Sequence, residues 1–292
     1  MKIVIFGKSG QLGWEFERTL PGLGQVVALD RVQLDLRDLH AVQQTLNELK
    51  PNLIINASAY TDVDKAEQEP ELAMQINALA PGIMAETSRK LSAAFIHFST
   101  DYVFDGKANT PYTEDDQTNP LNMYGKSKLM GEENIKQAGD AYLILRTSWV
   151  YSLRGNSFIN KVLGWARKNS TLRVVEDQIG SPTWARMLAD ITSLLLAQTR
   201  GNPYEKIREQ CGMYHLAGSG YTSRYEWAKQ ILANDPQRSE QTVETLEPGR
   251  SEEFPTPATR PLFSALDCTR FERTFGLHIP PWNSTLKLAM AG

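Results

Sequence analysis

The chain has 292 residues, of which 41% are hydrophobic and 22% charged, and its net charge is −3. Those values fit a globular protein with a large core and exclude a basic surface built for nucleic acid or an anionic membrane. No apolar run reaches transmembrane length, no signal-peptide pattern precedes the first strand, and Cys211 and Cys268 show no metal or redox spacing. The expectation is a cytoplasmic protein with neither nucleic acid nor membrane as partner.

Lys2-Ile-Val-Ile-Phe6 reads as a buried parallel strand, being short, apolar and β-branched. Gly7, Gly10 and Gly13 follow it, and a helical stretch covers 14–20. Glycines at this place allow a tight turn whose backbone N–H groups approach a diphosphate at a helix N-terminus. Residues 25–30 form a second strand ending in Asp30, where a carboxylate accepts hydrogen bonds from an adenosine ribose and repels a 2′-phosphate. Arg31 offsets that repulsion, which leaves NADH and NADPH both open. Leu34-Asp35-Leu36 is expected as a third short strand, with Asp35 either reaching an adenine edge or acting as a cap. A helix over 38–50 starts at Asp38 and is stopped by Pro51.

Residues 53–57 are a fourth strand, and Ser58, Ala59, Tyr60 and Thr61 at its end are expected to run along a cofactor. The charged run from Asp62 to Glu67 reads as a solvated helix face of Asp/Lys pairs rather than a metal site. Residues 71–91 have a helical pattern interrupted at Pro81. The strand over 95–100 delivers Ser99 and Thr100. After a loop marked by Gly106 and Pro111 comes Tyr124-Gly-Lys-Ser-Lys128, and then a sixth strand, Tyr142–Thr147.

Tyr124 and Lys128 share one face if this segment is helical, with Cβ atoms about 5–6 Å apart. An ammonium one turn away favours the phenolate and is expected to draw the phenol down from its ordinary pKa of about 10. With Thr100 bonding the same substrate oxygen, this set passes a proton to or from a carbonyl or alcohol oxygen. A second copy of the spacing, Tyr225 and Lys229, starts an amphipathic stretch and reads as a solvated helix edge.

Strands alternating with helices imply an α/β protein with a doubly wound parallel sheet of Rossmann type. Residues 1–150 are expected to form the NAD(P)-binding domain. In 151–292 the alternation loosens into helices over 156–168 and 186–198, strands over 172–176 and 213–216, and a polar, Pro-punctuated piece over 234–259. That part reads mainly as a smaller substrate-binding lobe, with some segments returning to the sheet.

Gly7/Gly10/Gly13, Asp30, Thr100 and Tyr124/Lys128 together resemble the extended short-chain dehydrogenase/reductase family. Ser99-Thr-Asp-Tyr-Val-Phe-Asp-Gly106, Pro120-Leu-Asn-Met-Tyr-Gly-Lys-Ser-Lys128, Arg146-Thr-Ser-Trp-Val-Tyr151 and Pro255-Thr-Pro-Ala-Thr-Arg-Pro261 resemble its branch that reduces the C4 ketone of a dTDP-linked deoxysugar. The resemblance implies that Tyr124 is the general acid, that Lys128 binds the nicotinamide ribose, and that Thr100 orients the ketone. It also implies Gln11 and Leu12 on the diphosphate, Leu36 on the adenosine side and Phe98 along the cofactor. Asp101, Trp149, Asn156 and Arg260 fall on the substrate side; Trp149 as core, Asp101 as a loop brace and Arg260 as a surface cation are the plain alternatives. Members of this type have been described as homodimers with magnesium held by glutamates, and Glu15 matches one ligand. Arg186 stands where another acid is expected, and a guanidinium cannot ligate a cation, so Arg186 is expected to pair with an acid instead. Epimerases, dehydratases and a non-catalytic methionine adenosyltransferase regulatory subunit share the scaffold. Tyr102, where a dehydratase needs an acid, and the intact glycine turn favour the reductase.

Overall fold

Six short apolar segments assemble into one parallel sheet in the computed structural model of the protein, which describes residues 1–291. β1 (Lys2–Phe6), β2 (Gln25–Leu29), β3 (Leu53–Asn56), β4 (Ala94–Thr100) and β5 (Tyr142–Thr147) are joined by a late strand, Gly212–His215. From edge to edge the order is Gly212–His215, β5, β4, β3, β1, β2. The winding direction reverses between β1 and β3, so a crevice opens at their carboxyl ends. β3 and β4 are buried along their whole length, which is why they lack polar alternation.

Period-two alternation sends β1 side chains to two separate cores. Ile3 and Ile5 pack with Phe16 of α1 (Gln11–Thr19) and Leu188 of the helix Ala185–Gln198. Val4 and Phe6 pack with Val42 and Leu46 of α2 (Leu39–Leu49), Met84 and Ile135. Asp38 caps α2 by accepting from the Ala41 N–H at 2.9 Å, as its side-chain chemistry and position led one to expect.

Residues 34–36 do not form the expected strand; they lie in irregular chain between two turns, Leu36 opening the second. The Asp35 carboxylate accepts from the Arg37 backbone N–H at 3.0 Å and from Arg37 Nε at 2.8 Å. Such local side-chain bonds compete with a strand ladder, while Leu34 and Leu36 still reach the core. The interruption expected at Pro81 also takes a particular form. Helix Pro70–Met74 passes through a π-helical turn, Gln75–Leu79, into helix Ala80–Lys90. Pro81 lacks the N–H that the Asn77 carbonyl would otherwise receive, and the wider turn absorbs the loss.

Beyond β5, helices Phe158–Ala166, Arg224–Ala233 and Trp282–Ala291 pack around Tyr151, Trp227 and Leu286. A parallel pair of strands, Thr171–Val175 with Thr245–Gly249, borders this second core. Among the described residues no helix is long and apolar enough to cross a membrane.

Candidate active site

A cleft of about 890 Å³ runs along the carboxyl ends of β1, β3 and β4 and continues to β5. Its volume lies in the range of small-molecule sites. At one end the turn after β1 brings Gly7, Gly10, Gln11 and Leu12 to the wall. Gly7 has φ +92°, and a Cβ there would stand 2.6 Å from Ser58 Oγ, so the turn requires glycine. Gly13 is not part of the wall; it lets α1 approach the turn, since a Cβ would lie 2.1 Å from the Gly7 carbonyl oxygen. The N-cap of α1 is Gly10, with no side-chain acceptor for the first-turn N–H groups. Those donors and the helix dipole favour an anion. Two buried polar atoms in the same wall, Gln11 Oε1 and Thr147 Oγ1, also lack a protein partner.

Asp30 lines the cleft beyond the turn, accepting from the Val32 and Gln33 N–H groups, with Lys8 Nζ 3.6 Å away. Hydrogen bonding from the Gln33 backbone holds its carboxyl below the usual range. Arg31, Asp35 and Leu36 line this end too, and Asp35 is engaged by Arg37 at 2.6 Å. Ala59, Tyr60, Thr61 and Phe98 also line the cleft. Asn77, on the π-helical turn, clamps the Tyr60 backbone by accepting from its N–H and donating to its carbonyl.

The helix Met123–Ala138 carries Tyr124 and Lys128 to the middle of the cleft, beside Thr100. Asn122 caps it by accepting from the Gly125 N–H at 2.8 Å. The two side chains share a face, yet the phenol is not drawn down as expected. Lys128 Nζ donates to the Phe98 carbonyl at 2.6 Å and sits 3.0 Å from His97 Nε2. Burial pulls Lys128 down to about 7, against the pull of the Glu132 carboxylate. Burial also pushes the Tyr124 phenol up, and the hydrogen bond with Thr100 works the other way. A phenol so placed is a held proton, suited to act as an acid.

At the far end Asp101 is buried and accepts from three hydroxyls: Thr100 at 3.1 Å, Ser148 at 2.9 Å and Ser264 at 2.5 Å. It therefore braces β4, the end of β5 and the C-terminal segment while forming part of the cleft wall. Burial nonetheless raises its pKa. Trp149 lines the cleft with a left-handed backbone, φ +44°, a strained state for a bulky residue. Its ring stacks on Trp227, and the Arg224 guanidinium lies 3.6 Å from its centroid. Burial draws Arg224 down to about 10, with the Tyr102 phenol and Asp101 working against the shift.

Four candidates stand outside the cleft wall: Gly13, Glu15, Asn156 and Arg260. Asn156 is exposed in the loop before helix Phe158–Ala166. Arg260 is held by Asp64, with contacts of 3.1 and 2.7 Å, and its Nη1 also donates to the Ala258 carbonyl. The run from Asp62 to Glu67 is thus more than a solvated face, because Glu67 accepts from the Met123 N–H as well. Tyr225 and Lys229 stay away from the cleft, the hydroxyl donating to Leu246 O and the amine pairing with Glu226. Arg224 and His97 were not singled out by sequence reasoning, since a lone arginine and a lone histidine carry no spacing signal.

The RmlD substrate binding domain matches the chain over residues 1–292. The chain belongs to this family. The dTDP-4-dehydrorhamnose reductase of Salmonella typhimurium is 39% identical over 98% of this chain and 96% of its own length. That of Burkholderia thailandensis is 37% identical over 99% and 98%. A crystal structure of the Clostridium acetobutylicum reductase superposes with a TM-score of 0.90 at 36% identity, covering 100% of this chain and 99% of its own. The Bacillus anthracis reductase, in complex with NADP, gives 0.90 at 33% identity, covering 99% and 98%.

The magnesium bridge that the resemblance brought into question at Arg186 does not fit the residues of this RmlD domain chain. Arg186 Nη1 lies 3.5 Å from Glu15 Oε2 and Arg186 Nε 2.9 Å from Asp190. The guanidinium, which cannot ligate a cation, thus holds both carboxylates itself. Among the described residues no group of three or more His, Cys, Asp or Glu side chains is arranged to hold a metal.

Proposed function

We infer that the chain reduces the C4 ketone of dTDP-4-dehydro-6-deoxy-L-mannose to give dTDP-L-rhamnose, with NADPH or NADH as reductant. The observation that carries this reading is that Tyr124, Lys128 and Thr100 line the same cleft as the glycine turn. Residues 1–150 supply the dinucleotide wall, and 151–292 supply most of the lobe for the sugar nucleotide. The turn at Gly7, Gly10, Gln11 and Leu12 receives the diphosphate, Asp30 the adenosine ribose, and Ala59 to Thr61 with Phe98 the length of the cofactor. Arg31 and Lys8 beside Asp30 provide positive charge for a 2′-phosphate.

The reduced nicotinamide, when bound, supplies the hydride. Tyr124 gives its proton to the carbonyl oxygen as that oxygen gains negative charge, which its raised pKa permits only at that stage. The Thr100 hydroxyl, turning its one proton away from Asp101, donates to the same oxygen and fixes its direction. Lys128, as an ammonium, stabilises the phenolate left behind. Trp149 presents an aromatic edge of the cleft to the sugar nucleotide, with the Arg224 guanidinium held against its ring and Asp101 in the same wall. The test is the loss of NADPH absorbance on adding dTDP-4-dehydro-6-deoxy-L-mannose, beside UDP- and GDP-linked analogues. Rapid oxidation with the dTDP sugar is expected, and none with any of the three overturns the reading.

A further inference from the structure

Lys128 ends a buried chain of polar groups that the reaction above leaves without a task. The Ser58 N–H donates to Asn56 Oδ1 at 3.0 Å. Asn56 Nδ2 is 3.1 Å from His97 Nδ1, and His97 Nε2 is 3.0 Å from Lys128 Nζ. Lys128 Nζ in turn donates to the Phe98 carbonyl. Asn56 and His97 expose no surface and Lys128 1%, so each polar atom has to be satisfied within the protein.

The direction of each bond follows from its neighbour. A backbone N–H only donates, so Asn56 Oδ1 is committed to Ser58 and the amide nitrogen faces His97. Nδ1 must then accept, and the neutral imidazole carries its proton on Nε2. That N–H points at Lys128 Nζ, which accepts only as a neutral amine. An ammonium would set N–H against N–H across 3.0 Å. Turning the Asn56 amide over would move the same conflict to the Ser58 N–H.

We propose that His97, held in one tautomer by Asn56, is a positioning residue that biases Lys128 toward the neutral amine and so sets the pH at which Lys128 takes up a proton. The consequence for turnover rests on the reductase reading, in which Lys128 works as an ammonium. Tyr124 and Glu132 face Lys128 from its own helix and His97 faces it from β4. Arg146 of β5 neutralises Glu132 through a contact of 2.6 Å. Burial of Lys128 acts in the same direction as His97, and Glu132 acts against both.

Two measurements test this. In ¹⁵N-resolved NMR of the wild-type chain, with the His97 signal assigned by its loss in His97→Gln, a bare Nδ1 and a protonated Nε2 are expected; a proton on Nδ1 overturns the proposal. This readout needs no turnover, so it stands even if NADPH and dTDP-4-dehydro-6-deoxy-L-mannose give no reaction. The second is the pH profile of kcat/KM for that pair, which falls as Lys128 loses its proton. Asn56→Asp keeps the Ser58 bond but forces the proton onto Nδ1, leaving Nε2 to accept from an ammonium. The falling limb then moves up by about one pH unit, the worth of one hydrogen bond, and an unshifted limb in the folded variant overturns the proposal. Where Asn56→Asp does not fold, His97→Gln and His97→Leu replace it. The amide keeps an acceptor for Asn56 and a donor for Lys128, so its limb stays at the wild-type pH while that of His97→Leu moves. Equal behaviour of the two overturns the proposal.

Discussion

Tyr124 keeps its proton because burial disfavours the phenolate more than the hydrogen bond with Thr100 favours it. An acid held this way is used once, when the substrate oxygen becomes basic. Tyr124→Phe is therefore expected to lower kcat by roughly 10²–10⁴-fold, with NADPH affinity unchanged in fluorescence titration. Arg224 offers a second test at this scale. Its guanidinium lies over Trp149, whereas Arg260 is already paired with Asp64. Arg224→Gln is expected to raise KM for the dTDP sugar about tenfold, a loss of about 1.4 kcal/mol, with little change in KM for NADPH. The Tyr124/Lys128 spacing was legible in the sequence because one helical turn puts both groups on one face. Which way each side chain turns was not, since that depends on His97 and Phe98, contributed by a strand some thirty positions earlier.

Glycine turn, helix and strand act together at the next scale. The helix Met123–Ala138 is tied to β5 by Glu132 and Arg146, which bond through Nε at 2.9 Å and Nη2 at 2.6 Å. Ser99 of β4 adds a hydroxyl donor at 2.6 Å. Glu132 and Arg146 are 0% and 1% exposed, so losing one partner strands the other charge in the core. Glu132→Ala is expected to destabilise the fold by about 3–5 kcal/mol, read as a lower urea midpoint at similar slope. Helix and strand identities were legible from apolar period and caps. The irregular stretch at 34–36 was not, because its apolar residues satisfy the core equally well from a strand or from irregular chain, and the Asp35–Arg37 bonds decide.

For the whole molecule, two buried histidines link folding to pH. His97 and His215 are 0% exposed, and burial lowers both, His215 to about 3. Each is neutral when folded but takes up a proton below about 6.5 when unfolded. Their contribution is fully present above that pH and is lost as pH falls toward the folded values. In His215→Gln the slope of stability against pH is expected to flatten by about 1.4 kcal/mol per pH unit between about 6 and about 4, measured by chemical denaturation at stepped pH. At this scale too, Glu15, Arg186 and Asp190 form an ion cluster joining α1 to helix Ala185–Gln198. It engages the Glu15 carboxylate, which alone would have suggested a metal ligand.

The parallel sheet, its glycine turn and the phenol–amine pair were determined by local sequence, because strand composition, backbone freedom and helical period act over a few residues. The tertiary structure alone decided what surrounds those groups. It brought His97 and Asn56 beneath Lys128, set Arg224 over Trp149, and gathered the hydroxyls of Ser148 and Ser264 from distant segments onto Asp101, beside that of neighbouring Thr100. Charge and proton affinity depend on what lies within a few ångströms, and those neighbours come from parts of the chain that only folding brings together.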